Sequence, residues 1–251
     1  MTNYKSLRRF NLWMGLFHFV QGVAMLLVSS DFKLPVTGSF LKFDPVSQNL
    51  VPSIRNLFEL QIGPVVASFL FLSALAHLLI SLPNINDWYN KNLAKGANYA
   101  RWIEYSFSSS VMILVIAMLV GIYDISTLIA FVFLNASMIL FGWMMELHNQ
   151  TTPKTNWTSF IFGCIAGIGP WIAIGIYLWS PGSDAKAPNF VYWIYFSIFL
   201  FFNSFALNQA LQYRKVGKWR DYLYGERAYI ILSLVAKSLL AWQVFAGTLR
   251  P

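Results

Sequence analysis

The sequence predicts an all-α membrane protein: a bundle of seven transmembrane helices with a short β-hairpin in its first extracellular loop. Of the 251 residues, 57% are hydrophobic and 11% are charged, and the apolar residues gather into seven long runs. A soluble domain usually carries about 25% charged residues, and a membrane-crossing helix needs about 20 apolar ones. Seven such helices fill much of the chain, so residues 1–251 are expected to form a single domain.

Each apolar run is a predicted helix, because backbone groups in hydrocarbon must satisfy their own hydrogen bonds. The runs are Phe10–Ser30, Leu57–Leu82, Tyr99–Val120, Ile125–Met145, Trp157–Trp179, Phe190–Gln212 and Ala228–Gly247. In the long loop after the first run, Lys33–Pro35 and Ser39–Phe43 flank Val-Thr-Gly, a pattern that predicts a short β-hairpin. An exposed hairpin edge can pair with its own copy, so a homodimer is expected.

The basic residues predict how the bundle is oriented in the membrane. Twelve Lys and Arg residues fall in the segments on the side of the N-terminus, and five fall on the opposite side. Cytoplasmic segments are enriched in Lys and Arg, so the N-terminus is expected in the cytoplasm and the C-terminus outside. Membrane topology therefore explains the net charge of +8 better than a nucleic-acid partner does. Motifs for hydrolysis or phosphate binding are absent, and no enzyme activity is expected.

Lys237 lies near the middle of the seventh run, about nine residues, or ~14 Å, from either end. A side chain at that depth does not easily reach an interface, and a free ammonium there is costly. The neutral amine is the nucleophile that condenses with an aldehyde to form a Schiff base. The alternative is a lysine that pairs with an acid in a channel or carrier without a chromophore.

Glu104 is the only acid that the runs place well inside a predicted helix. The third and seventh helices both start on the cytoplasmic side, so Glu104 and Lys237 are expected at similar depths. A protonated Schiff base in a low dielectric needs a carboxylate counterion, and Glu104 can provide it. The alternative is an intrahelical pair with Arg101, three residues earlier on the same helix face.

The stretch Arg101-Trp-Ile-Glu-Tyr-Ser-Phe-Ser-Ser-Ser, together with Ser233-x-x-x-Lys237, resembles the microbial rhodopsins. Those proteins place an arginine three residues before the third-helix carboxylate and a lysine in the last helix. The serines after Glu-Tyr, the inverted topology and the long first outer loop resemble heliorhodopsins in particular, over nearly the whole chain. The resemblance implies a light-sensing photoreceptor with all-trans retinal bound as a Schiff base to Lys237 and with Glu104 as counterion.

The resemblance also implies roles for further residues around the chromophore. Ser108 and Ser233 would neighbour the Schiff base, Tyr105 and Met112 would line the polyene, and Asn135 and Phe202 are further pocket candidates. A proton network towards the cytoplasm would include His18, His77, Ser73 and Arg101. The alternative for each histidine is a hydrogen-bonded interior residue. Histidine titrates near neutral pH, so either its neutral or its charged form can occur in the protein interior.

Two departures from the pump pattern predict that the chain does not pump ions. Pump-type rhodopsins keep a second carboxylate one turn before the lysine, where this chain has Ser233, and proton pumps carry a donor acid where it has Val115. A vectorial proton path needs groups that release and reload on opposite sides. The expected output is therefore a signal to a cytoplasmic partner, with the basic loop Arg214–Arg227 as a candidate surface. That loop is equally explained by topology and by anionic lipids.

Overall fold

The computed structural model describes residues 2–179 and 186–250, and within them the chain forms eight α-helices and one two-stranded β-hairpin. In chain order these are α1 (Thr2–Val28), β1 (Lys33–Asp44), β2 (Asn49–Gln61), α2 (Ile62–Leu79), α3 (Pro83–Leu93), α4 (Tyr99–Leu119), α5 (Ile125–Asn149), α6 (Thr158–Trp179), α7 (Asn189–Tyr213) and α8 (Tyr222–Val244). All of them except α3 and the strands are long and apolar enough to cross a membrane. The predicted fold class is confirmed, and the chain is a multi-pass membrane protein.

The helices pack side by side around α4. Neighbouring pairs are α1 with α2, α2 with α4, α4 with α5, α5 with α6, α7 with α8, and α8 with α1. Trp171 of α6 joins α7 through edge-to-face contacts, with ring centroids 5.4 Å from Tyr195, 5.2 Å from Phe199 and 5.4 Å from Phe202. Large apolar side chains are exposed on the outside of the bundle, as a bilayer requires. We call the end that carries the start of α1 the N-terminal end, and the opposite one the hairpin end.

Side-chain caps fix where α4, α5 and α8 begin. Asn98 Oδ1 accepts a hydrogen bond from the Arg101 backbone N–H (3.0 Å), and Asp124 caps α5 in the same way. Asp221 accepts from the backbone N–H at the start of α8 (3.0 Å). Such caps satisfy backbone donors that a helix leaves unpaired in its first turn.

The hairpin lies in the predicted loop, but its predicted turn is wrong. Thr37 and Gly38 belong to β1, paired with Asn56 and Arg55, and the pairing register shifts between Val36 and Thr37. The turn instead covers residues 45–48. It closes on the Asp44 carboxylate, which accepts hydrogen bonds from Ser47 Oγ and two backbone N–H groups, and these bonds lower the pKa of that carboxyl.

Four helix ends differ from the predicted runs by four residues or more, and the first is the start of α1, at Thr2 rather than Phe10. The second run was expected to be helical from Leu57, but residues 57–61 continue β2 because their backbone pairs with β1, and α2 begins only at Ile62. At the N-terminal end of the bundle, α5 continues past Met145 to Asn149, and α8 begins at Tyr222 rather than at Ala228. Both extensions bring additional acidic residues into the protein interior.

Candidate functional site

Lys237 is buried, with 3% of its surface exposed, and its ammonium is fully hydrogen-bonded. The Nζ atom donates to Ser73 Oγ (2.5 Å), Glu104 Oε1 (2.7 Å) and Ser233 Oγ (3.0 Å). Ser73 in turn donates to Glu104 Oε1 (2.7 Å). Three helices therefore meet at this amine, and the three donors of a lysine side chain find three acceptors. A charge at this depth is tolerable only when it is paired in this way.

An apolar cavity of about 50 Å³ adjoins Lys237 on the side away from Glu104. It is lined by Tyr105, Ser108, Ser109, Met112, Met138, Ile139, Phe202, Phe205, Ser233, Ala236 and Lys237. Ser108 is fully buried, and its Oγ has no hydrogen-bond partner among the described residues. The predicted pocket residues Ser108, Tyr105, Met112, Phe202 and Ser233 therefore all share one cavity wall with the lysine.

A larger cavity of about 330 Å³ lies beside the first, between α6 and α7. The two share a wall made of Tyr105, Met138, Ile139, Phe202 and Phe205. Two glycines in its wall allow neighbouring side chains to pack closely, because a Cβ would lie 2.5 Å from the Trp102 ring at Gly142 and 2.3 Å from Met138 Sδ at Gly167. The volume is that of a small-molecule site. Two neighbouring apolar cavities, with a buried amine in the wall of the smaller one, suit a long apolar aldehyde such as retinal.

The opposite side of Lys237 is polar. A cavity of about 40 Å³, large enough for water, extends from Ser73 and Glu104 towards the N-terminal end. Its wall includes Asn11, His77, Tyr89, Arg101 and Glu226. Burial raises the pKa of the Tyr89 hydroxyl. The site thus has a polar half and an apolar half, divided at the lysine.

The two predicted network histidines lie together beside this polar cavity. Their rings stack with centroids 5.8 Å apart, and His77 Nδ1 is 2.8 Å from Asn11 Oδ1. His18 is completely buried, and neither of its ring nitrogens has a hydrogen-bond partner within the described part of the chain. Ser73 contacts the lysine directly, so it belongs to the ion pair as well as to the cavity.

Arg101 does not pair with Glu104, so the intrahelical alternative is wrong. Its guanidinium instead donates to Glu146 of α5 and Glu226 of α8. Glu104 is the only acid well inside a predicted run, but the structure also buries Glu146 and Glu226, which are 1% and 0% exposed. Each lies just outside a predicted apolar run, where α5 and α8 extend further than hydropathy indicated. A signal was present in the sequence: both acids stand within one turn of a run end.

Asn135 is the one predicted pocket residue that does not line either apolar cavity. Its Nδ2 donates to Ser109 Oγ (2.7 Å) and Ser110 Oγ (3.1 Å) on α4. Ser109 lines the cavity beside Lys237, so Asn135 stands behind the wall and orients a residue within it.

The fold and the buried amine together define a seven-helix protein of the retinal-binding type. A sequence model of the heliorhodopsins matches residues 7–249, and the chain belongs to the heliorhodopsin family. No curated protein matches the chain in sequence.

Solved structures of microbial rhodopsins share the fold. A light-driven proton pump from Leptosphaeria maculans superposes with a TM-score of 0.66 at 14% identity, over 94% of this chain and 93% of that one. A cyanorhodopsin from the cyanobacterium Tolypothrix sp. superposes with a TM-score of 0.63 at 12% identity, over 96% and 94%. At such identities the likeness concerns the fold alone.

Proposed function

We propose that this heliorhodopsin is a light sensor in which all-trans retinal is bound at Lys237 and Glu104 is the counterion. One observation carries the proposal: a buried lysine Nζ lies 2.7 Å from a carboxylate, at the end of an apolar cavity. When bound, retinal supplies an aldehyde that condenses with the amine, releasing water, and a polyene that absorbs visible light.

The chain's own residues have distinct tasks in this proposal. Glu104 stabilises positive charge at the lysine nitrogen, and Ser73 and Ser233 orient the proton there. Tyr105, Met112 and Phe202 exclude water from the apolar half and hold the polyene in place. A proton released at the lysine nitrogen would move towards Glu104 and the His18–His77 pair.

The absence of pumping is part of the proposal, and the apolar half of α4 supports it. Towards the hairpin end, α4 carries Ile113, Val115, Ile116, Ala117 and Met118, all fully buried. Acidic residues with hydrogen bonds to the buried site occur, in the described residues, only on the side of the N-terminal end. Among the described residues, a proton leaving Lys237 therefore meets acidic groups in one direction, and a transport path needs groups that release and reload a proton on both sides.

Absorption spectroscopy tests the proposal. Protein expressed with all-trans retinal should show a visible band that Lys237→Ala abolishes and Glu104→Gln shifts. Lys154→Ala, which removes a loop lysine, is the matched control and should leave the band unchanged. Illuminated vesicles carrying the protein should show no net pH change. A colourless but folded protein would favour the alternative, a channel or carrier that uses the Lys237–Glu104 pair without a chromophore.

The proposal includes an orientation, with the N-terminal end in the cytoplasm and the C-terminus outside. It rests on the excess of Lys and Arg at the N-terminal end, including the exposed loop between α7 and α8. A cytoplasmic signalling partner would bind this basic surface and respond to its light-induced change in conformation. A C-terminal tag that proteases reach only after cell lysis would contradict the orientation.

A homodimer is also proposed, through the outer half of the hairpin. Large apolar side chains are exposed there, among them Phe43 (57%), Leu50 (62%) and Ile54 (76%). Exposed strands with apolar side chains are prone to pair with a second copy. Light scattering that gives the mass of one chain in mild detergent and in lipid nanodiscs would contradict it.

A further inference from the structure

Two carboxylates share one guanidinium at the N-terminal end of the bundle. Arg101 donates through one Nη atom to Glu226 and through the other to Glu146, and all three side chains are at most 4% exposed. Within the described residues, no other salt bridge reaches either acid. A buried charge without a partner is strongly unfavourable, so this cluster is expected to bind one proton.

Hydrogen bonds identify which acid stays ionised. Glu146 Oε1 accepts from Arg101 and from the Tyr222 hydroxyl (3.0 Å). Its Oε2 accepts from the Asn98 backbone N–H (3.0 Å) and from Trp102 Nε1 (2.6 Å). Four donors occupy the lone pairs of this carboxylate, which leaves no position for a proton. Glu146 is therefore the anion that balances Arg101.

Glu226 has spare hydrogen-bonding capacity. Among the described residues, its only donor besides Arg101 is Asn98 Nδ2 (2.6 Å). The orientation of this amide is set because Asn98 Oδ1 accepts from the Arg101 backbone N–H. Glu226 also lines the polar cavity shared with Glu104, and Glu146 does not. We propose that Glu226 is a proton-binding residue: it is neutral in the resting protein and exchanges its proton with this cavity.

The charges around Glu226 support its neutral form. The titratable and charged groups that face it, directly or across the cavity, are His77 of α2, Tyr89 of α3, Arg101, Glu104 and Tyr105 of α4, Glu146 of α5, and Tyr222 and Tyr229 of α8. Arg101 is matched by Glu146, and Glu104 is matched by Lys237. With neutral histidines and tyrosines, the buried charges cancel only when Glu226 carries a proton.

The role of the Glu226 proton in the response to light rests on the proposed function. After a proton has moved from the lysine nitrogen to the His18–His77 pair, which leaves Glu104 ionised, Glu226 can resupply the cavity. The Glu226 O–H bond breaks, an O–H bond forms at Glu104 through the cavity, and the new Glu226 carboxylate remains hydrogen-bonded to Arg101 and Asn98. The reverse transfer restores the resting state.

Infrared spectroscopy of the retinal-free protein in bilayers at neutral pH tests the inference. The parent protein should show the carbonyl stretch of a protonated carboxylic acid, which shifts in heavy water because the cavity exchanges the proton. The band should disappear in Glu226→Gln and remain in Glu104→Gln. Because no chromophore is present, loss of the proposed retinal function would leave this result unchanged.

The thermal stabilities of two glutamine variants give a second test. Glutamine imitates a neutral acid, so Glu226→Gln should keep the melting temperature of the parent. Glu146→Gln should lower it, because an amide NH₂ group would face hydrogen-bond donors. The inference is overturned if the folded parent has no acid band, if the band survives in Glu226→Gln, or if that variant is destabilised as much as Glu146→Gln or fails to fold.

Discussion

The Lys237–Glu104 pair predicts a definite pattern of stabilities in the retinal-free protein. Glu104→Gln removes a carboxylate 2.7 Å from Nζ. At an effective dielectric constant of about 20, unit charges at that distance attract by about 6 kcal/mol, before the desolvation penalty is subtracted. Breaking a buried pair by removing one partner typically costs about 3–5 kcal/mol, because the remaining charge is unpaired. We expect Glu104→Gln to lower the free energy of unfolding by about this amount.

The double variant makes the test specific. Replacing both members of a buried pair is often neutral or stabilising, so Glu104→Gln with Lys237→Met should be at least as stable as Glu104→Gln alone. The assay is equilibrium unfolding in mixed lipid–detergent micelles. Lys186→Met, at an exposed position, is the control and should combine additively with Glu104→Gln. A loss below about 1 kcal/mol in Glu104→Gln, or additive effects with Lys237→Met, would refute the reasoning.

Three further predictions follow from the cavity walls and the hairpin. Gly167→Ala should reduce retinal uptake and destabilise the protein by about 1–3 kcal/mol through overpacking, because its Cβ would lie 2.3 Å from Met138 Sδ. Titration with retinal measures the uptake, and a variant that binds retinal like the parent would contradict the prediction. Gly169→Ala is the control, because its Cβ would meet only an ordinary contact at 3.8 Å. Ser73→Ala should shift the visible absorption maximum, since Ser73 bridges Nζ and the counterion; an unmoved maximum would remove it from the site. Ile54→Lys should lower the dimeric fraction in light scattering, and an unchanged mass would argue against the hairpin interface.

The ion pair could be predicted from sequence because charges are rare inside apolar runs. Lys237 is the only charged residue of its run, and Glu104 is the only acid of its run, which also contains Arg101. Both segments start at the same membrane face. Helical periodicity then places Ser233 one turn from the lysine, where the structure has it in contact. Polarity inside hydrocarbon is costly enough that a lone charge usually needs a partner.

The Arg101–Glu146–Glu226 cluster could not be predicted in the same way. Hydropathy marks where apolar runs begin and end. Glu146 comes just after the end of one run and Glu226 just before the start of another, and charged residues at such positions are common and usually exposed to water. Their burial depends on α5 and α8 extending beyond the runs and on Asn98, Trp102 and Tyr222 supplying donors from other segments.

The hairpin turn was misplaced for a related reason. A glycine is a strong turn signal in an isolated segment, and Gly38 follows Thr37 in a short polar stretch. Long-range pairing with β2 keeps this segment in a strand. The decisive contacts come from residues far along the chain, which a local pattern does not contain.

The central claim is that Lys237 is the residue that carries retinal, and chemical trapping tests it most directly. Protein reconstituted with all-trans retinal is treated with borohydride in the light, digested and analysed by mass spectrometry. We expect a retinyl group on the peptide that contains Lys237 and on no other lysine. Retinyl on a different lysine, or none on a protein that is coloured before treatment, would contradict the account.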